Sequence, residues 1–204
     1  MIPLLLVGGG GHCRSCIDVI EEEGRYRVAG IVDRARSGPP VLGYPVLGDD
    51  EDLARLLASC ADALVTVGQI KSPDARRRLY VLLKDSGARL PTIVSPHAHV
   101  SRRAELGEGT IAMHGAVVNA AASVGANCIV NSLALIEHDA KVAEHCHIAT
   151  GARVNGDVVI GAGTFVGSGA VIREGVRIGS GVIIGAGSLV IADVADGAAI
   201  RGVG

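Results

Sequence analysis

At 204 residues the chain has room for one large or two small domains, and its 49% apolar content supplies a sizeable core. A net charge of −2 without any basic run argues against nucleic acid or an anionic membrane as partner. Aromatic residues are only 2% and Trp is absent, which suits thin layers of small interior side chains better than one thick core.

Ile2 to Val7 is a continuous apolar stretch with no basic region before it and four glycines after it. That pattern reads as a strand rather than a signal peptide or membrane span, and the expected location is cytoplasmic. Gly8, Gly9, Gly10, Gly11 and His12 lead into a helix from Cys13 to about Glu23, with Ile17 and Ile20 on its apolar side. A second strand, Arg27 to Asp33, ends in an acid roughly twenty residues past the glycines. In such a βαβ unit glycines let the backbone approach phosphates, and the helix N-terminus favours anions. The spacing is not a clean G-x-G-x-x-G, so nucleotide binding and a plain tight turn both stand as readings of it.

Gly38-Pro39-Pro40 and Gly43-Tyr44-Pro45 mark a loop with a short edge strand. An acid-started helix is expected over Asp49 to Ser59, then a strand from Ala63 to Val67 ending at Gly68. Ser72 and Pro73 open a further helix, as N-cap and first position, that runs to Ser86. Its arginines Arg76, Arg77 and Arg78 read as a solvated face. Leu90 to Val94 reads as a last strand before Ser95-Pro96 breaks the chain. Residues 1–95 are therefore expected to form an α/β, Rossmann-like domain with a parallel sheet, and residues 96–204 a second domain.

The second domain is set by one repeat. From Val100 every sixth residue is a branched aliphatic: Leu106, Val118, Val124, Val130, Ile136 and so on to Val190. Only Ala112 departs, so fifteen of sixteen positions fit without an insertion. Four residues after each stands a small or β-branched residue, such as Ala134, Ala140, Cys146 and Ala152. This is the signature of a hexapeptide β-helix. Three hexapeptides close a triangular coil of about eighteen residues, and no coil buries its face alone. The glycines of Gly161-Ala162-Gly163 and Gly185-Ala186-Gly187 are expected at turns, where positive φ is cheap for glycine.

Five cysteines without a secretion signal point to free thiols. Cys13-Arg-Ser-Cys16 has redox spacing but no redox context, and Cys128 and Cys146 should stack in the coil core as small hydrophobes. Of the seven histidines, His97 and His99 fall at the domain junction and His114 is isolated, so these read as structural or exposed. His138, in Ile136-Glu-His-Asp139, and His145 and His147 admit three readings: surface residues, a zinc site between subunits, or catalysis by a histidine with an acid fixing its tautomer.

The opening strand with Gly8 to His12, Asp33, Gly68, Asn131, Ile136-Glu-His-Asp139 and His147-Ile-Ala-Thr-Gly-Ala152 run through both domains in one order. In this the whole chain resembles bacterial sugar acyltransferases of the sialic-acid O-acetyltransferase and bacillosamine N-acetyltransferase type. The resemblance implies that the coil is left-handed and the protein a homotrimer with active sites between subunits. It implies an acetyl-CoA-dependent N-acetyltransferase acting on the amino group of a nucleotide-linked amino sugar, of the UDP-4-amino-dideoxysugar type. O-acetylation of a sialic-type sugar and a non-catalytic nucleotide-sugar-binding scaffold are the alternatives. His138 would be the base and Asp139 its partner; Asn131, His147 and Gly156 would lie by acetyl-CoA. Gly8, Gly9, Gly10, Gly11, His12, Asp33 and Gly68 would hold the sugar nucleotide, and no metal is expected. Two departures stand out. Arg34 occupies a position where some relatives have a second acid, and the chain reads Arg201-Gly-Val-Gly204 where the family usually has Gly-Val-Pro-Ala-Lys, an altered or shortened tail.

Overall fold

A repeat of six residues leaves room for two residues of strand and a turn. In the computed structural model, which describes residues 1–35 and 39–202, each repeat from Ile93 to Val190 takes that form, and the last coil keeps only a bridge at Val194 and the strand Ala199–Ile200. Residues eighteen apart pair in parallel: Ile111 with Ile129, and Ile129 with His147. The strands stack into three flat walls of seven, six and five strands, the arrangement of a left-handed parallel β-helix. The second residue of each strand points inward, and Val118, Val130, Ile136, Ile148 and Val154 are wholly buried in one continuous column. Cys128 and Cys146 belong to it, the Cys146 N–H donating to the Cys128 sulfur at 3.3 Å. All five cysteines are free and buried.

The corners explain the glycines in two ways. Gly163 and Gly187 hold φ of 71° and 68°, as expected of turns. Gly161 is needed for closeness instead, since a Cβ there would lie 2.5 Å from the Ser180 backbone nitrogen of the next coil. Six corners in the middle coils carry side chains despite φ of 53–61°: Ala121, Asn127, Leu133, Asp139, His145 and Asp157. Left-handed backbone costs an ordinary residue about 1–2 kcal/mol, so Ala121 and Leu133 are retained against a local penalty, while Asn127, Asp139, His145 and Asp157 are of types that tolerate it.

The N-terminal layer comprises β1 (Ile2–Val7), α1 (Gly11–Glu23), β2 (Tyr26–Val32), β3 (Val46–Gly48), α2 (Leu53–Leu57), β4 (Asp62–Val65) and α3 (Asp74–Asp85). Asp49 caps the short turn before α2 by accepting the Glu51 N–H, and Ser72 accepts the Asp74 N–H at the start of α3. The sheet is parallel with order β3-β2-β1-β4. Strand order therefore reverses at β1, and a crevice opens beyond the C-terminal ends of β1 and β4. The Gly38 end of the expected loop and residues 203–204 of the tail lie outside the described residues.

The expected strand at Leu90–Val94 is divided. Arg89 bridges Asp62 at the sheet edge, Pro91 has no N–H for a ladder, and Ile93–Val94 (β5) pairs with Ile111–Ala112 as the first rung of the seven-stranded wall. That wall is where the N-terminal layer docks. Its outward residues Ile93, Ile111 and Ile129 are fully buried against Ile17, Ile20 and Leu4, each burial contributing roughly 1.5–3 kcal/mol. The solvated arginine face holds for Arg77 and Arg78 but not for Arg76. Arg76 is 1% exposed and lies in the junction, its guanidinium donating to the carbonyls of Val65, Val67 and Asn127. Among the described residues no helix is long and apolar enough to cross a membrane.

The stacked column is tested by one pair of variants. Ile136→Asp places a carboxylate in a fully buried column and should lower stability by several kcal/mol. Asp139→Asn, at an exposed left-handed corner where Asn is well tolerated, should change it little. Equal losses of denaturation midpoint in the two would mean that the register is wrong.

Candidate active site

The turn after β1 is built by close approach. Gly8 has φ of 110°, and a Cβ there would lie 2.3 Å from the Val67 side chain. The Gly9 N–H donates to Asp33 at 2.6 Å, so the acid that ends β2 clamps the glycine turn. Gly10 caps α1 without any side chain on the first helical N–H groups. These features leave an anion-favouring helix end at the switch point of the sheet.

That end opens into a cleft of about 760 Å³ between the N-terminal layer and the coil. Gly8, Gly10, Gly11, His12, Asp33 and Gly68 line it from one side. Asn131 and His147 line it from the coil, with Ser132 and Thr150 at the same corner. Gly9 faces a neighbouring hollow beside Arg14 and Pro39, and a smaller hollow of about 220 Å³ lies between Arg34, Asp50 and Arg78.

The cleft's two histidines are held neutral. His147 Nδ1 lies 2.6 Å from the Gln69 carbonyl, so it carries the proton and donates. Its Nε2 then accepts from the Asn131 amide at 3.1 Å, and Asn131 is oriented in turn by the Ser132 N–H donating to its oxygen. Burial pushes His147 down to about 4. His12, whose ring lies 6.3 Å from that of His147, is pushed down to about 3, by burial first and by the Arg76 charge second. Its Nε2 is buried with no partner among the described residues. Gln69 also donates from its side chain to the Gly163 carbonyl, so one loop residue ties the two parts together twice.

His138 is in a different place and a different state. It follows the Leu135–Ile136 strand of the six-stranded wall, whereas His147 sits in the seven-stranded wall. It is exposed, and its Nδ1 lies 2.9 Å from Asp139. The Asp139 hydrogen bond raises its pKa above the ordinary histidine value, helped by the charges of Asp139, Glu137 and Glu174. One coil further on is Gly156, where a Cβ would lie 2.7 Å from the His138 ring. Glycine there gives the imidazole its seat. None of His138, Asp139 and Gly156 lines the cleft, so a single chain brings together Asn131 and His147 with the N-terminal residues, and His138 with Asp139 and Gly156, as two separate groups. His145 goes with neither: it is buried against Tyr80 and accepts from Asn127.

The sequence reading missed Gln69, Ser132, Thr150 and Arg76. A usable signal was present for the docking wall, because the outward residues Ile93, Ile111 and Ile129 recur every eighteen positions as bulky aliphatics where other walls place Lys141 or Arg153.

A PglD N-terminal domain model matches residues 3–81, and a bacterial transferase hexapeptide model of six repeats matches residues 157–192. The acetyltransferase domain of PglB from Neisseria gonorrhoeae, solved with acetyl coenzyme A, is 32% identical with a TM-score of 0.90 over 97% of this chain and 94% of that one. The chain belongs to the left-handed β-helix sugar acyltransferases. Perosamine N-acetyltransferase from Caulobacter crescentus, solved as a mutant with CoA and GDP-perosamine, is 34% identical with a TM-score of 0.90 over 95% and 90%. WeeI from Acinetobacter baumannii, at 22% identity and a TM-score of 0.85 over 99% and 97%, shares the fold. No curated protein sequence matches the chain.

The family sets the chemistry to be expected, and the electrostatics separate the histidines. In a proton-resolved titration, His138 should titrate above 6.5 and fall in Asp139→Asn, while His12 and His147 stay neutral down to about 3 and about 4. The buried pair also predicts a sign for stability. Both accept a proton more readily unfolded, at 6.5, than folded, so stability is complete above 6.5 and falls as pH drops from there toward 4. The slope approaches about 1.4 kcal/mol per pH unit for each histidine. Stability that is flat across that window would contradict the assignment.

Proposed function

We propose that the protein transfers the acetyl group of acetyl-CoA to the amino group of a nucleotide-linked amino sugar. The observation that carries the mechanism is the exposed His138–Asp139 pair at 2.9 Å, with Gly156 beneath the ring. With Nδ1–H donating to Asp139, the Nε2 lone pair is free to receive a proton. The neutral sugar amine attacks the thioester carbon, and its proton passes to His138 Nε2 directly or through water. The tetrahedral intermediate collapses by breaking the C–S bond, and the departing CoA sulfur takes a proton. Asp139 fixes the tautomer and stabilises the imidazolium. The Gly156 N–H is the candidate donor to the oxyanion.

The N-terminal cleft would hold the sugar nucleotide, with diphosphate at the glycine turn and the α1 N-terminus, and ribose or sugar hydroxyls at Asp33. The acetyl coenzyme A in the PglB domain and the CoA and GDP-perosamine in perosamine N-acetyltransferase support the two classes of ligand. His147 has both nitrogens engaged, so it acts as wall and brace to Asn131 rather than as a base. Because the base and the cleft are separate groups within one chain, the reading includes a homotrimer in which a neighbouring subunit supplies His138. The N-acetyltransferase activity named for the perosamine enzyme favours an amine over a sialic-type hydroxyl as acceptor.

A panel of UDP-, GDP- and CMP-linked amino sugars with acetyl-CoA, scored by thiol release and product mass, identifies the acceptor; hydroxyl-only acceptors as sole substrates would shift the reading to O-transfer, and no turnover with any would favour a binding scaffold. On the best acceptor, His138→Ala should lower kcat by about 10²–10⁴-fold with binding nearly intact. Wild-type kcat should rise with pH as the imidazole loses its proton, and that limb should vanish in the variant. Gly10→Val projects into open space on the cleft wall. It should weaken sugar-nucleotide binding while acetyl-CoA affinity is unchanged; calorimetry showing a parallel loss of both would refute the division of the site.

A further inference from the structure

The junction of α1 with the first coils carries a second cluster of side chains away from the cleft. Asp18 and Glu22 are one helical turn apart on α1, so they share a face. Opposite them stand His97 and His114, at one corner of the coil in successive turns, where the Gly115 N–H donates to the His97 carbonyl at 3.2 Å. His97 Nε2 lies 2.7 Å from Glu22 Oε2, and His114 Nε2 lies 2.9 Å from Asp18 Oδ2. The two rings are 5.6 Å apart, and single donor atoms of Glu22, His97 and His114 all lie within 4.8 Å of one another.

The arrangement behind these atoms is what a ligating imidazole requires. His114 Nδ1 is held at 2.7 Å by the hydroxyl of Ser95, which is buried and also accepts the His97 N–H at 3.0 Å. The remaining nitrogen of His114 is thereby aimed at the carboxylates, the outer-shell pattern that fixes a metal-binding histidine.

We propose that Glu22, His97 and His114 form a site for a divalent transition-metal ion of the zinc class, with Asp18 beside His114 as the fourth ligand. Two imidazole nitrogens with carboxylate oxygens suit zinc and its neighbours better than calcium or magnesium. Donor atoms around a tetrahedral zinc ion lie about 3.3 Å apart, so the Glu22, His97 and His114 atoms, within 4.8 Å of one another, must draw together on binding, and Asp18 must turn toward the ion from beside His114. The site is at the far end of α1 from Gly11, on the order of 16 Å along the helix. An ion there has no part in acetyl transfer. It ties the last turns of α1 to the first two coils and fixes how the N-terminal layer sits on the wall that forms the cleft.

The test uses the untagged, metal-stripped full chain. Bound zinc is counted by mass spectrometry after dialysis, and cobalt(II) is titrated while its visible absorption is followed. One ion per chain with the intense absorption of tetrahedral coordination is expected, together with a higher melting temperature in zinc. The His97→Ala/His114→Ala double variant should lose stoichiometric binding, and Glu22→Gln should weaken it at least tenfold; Glu22→Gln alone decides the matter if the double variant does not fold. His138→Ala should bind as the wild type does. Failure of the wild type to bind one ion per chain, or binding as tight as the wild type's in Glu22→Gln or in the double variant, would overturn the proposal. So would loss of the ion in His138→Ala.

Discussion

The pitch of eighteen residues per coil is the constraint on which the rest of the structure depends. It assigns every residue of the coil to a wall or corner by its position in the repeat, without regard to its chemistry. His138 falls above Gly156, which lacks the Cβ that would strike its ring. His114, Ser132 and Thr150 fall at one corner, and Ile93, Ile111 and Ile129 on one wall. Only the last coil departs from the pitch, Ile184 pairing with Ile200, and from Ile93 to Val190 the chain does not move a functional side chain by shifting register. It can place chemistry only by choosing which residue stands at a fixed point. Asp139 and Asn127 are such choices, at left-handed corners that their residue types tolerate.

The docked layer adds an electrostatic division. Arg76 is a cation buried without a carboxylate partner among the described residues, held by three carbonyl oxygens, and burial lowers its pKa only to about 10, so it remains charged. Together with burial, that charge keeps His12 and His147 neutral. Asp139 does the opposite to the exposed His138. The same side-chain type is thus a fixed neutral hydrogen-bonding group in the cleft and a proton acceptor at the outer corner. Environment alone separates the two roles.

How much of this was legible varied with the range of the interactions. The period of six gave the coil, its column of aliphatics and the stacking of Cys128 on Cys146, because each depends only on residues at fixed spacing. The glycine turn and the acid ending β2 were likewise local. The fate of Leu90–Val94 was not: an apolar run beside a proline fits either sheet, and only the competition between two partners assigned Ile93–Val94 to the coil. Arg76 was misread because its helix pattern says which side faces inward only once the wall opposite is known. The cleft's brace, Gln69 to His147 to Asn131, joins residues far apart in sequence and leaves no periodic trace.

The pitch also explains why His138 and His147 stand apart within one chain. His138 and His147 are nine residues apart, half a coil, so they must stand on different walls. Under the proposed function a neighbouring subunit closes this gap, and mixed oligomers test this most directly. Subunits carrying His138→Ala and subunits carrying Gly10→Val, each of low activity alone, are dissociated together and reassembled in equal amounts. If the base and the sugar cleft come from different chains of a trimer, random mixing rebuilds intact sites and activity returns to about a quarter of the wild-type rate. Activity no higher than the average of the two variants alone would show that each site is built within one chain and would contradict the account.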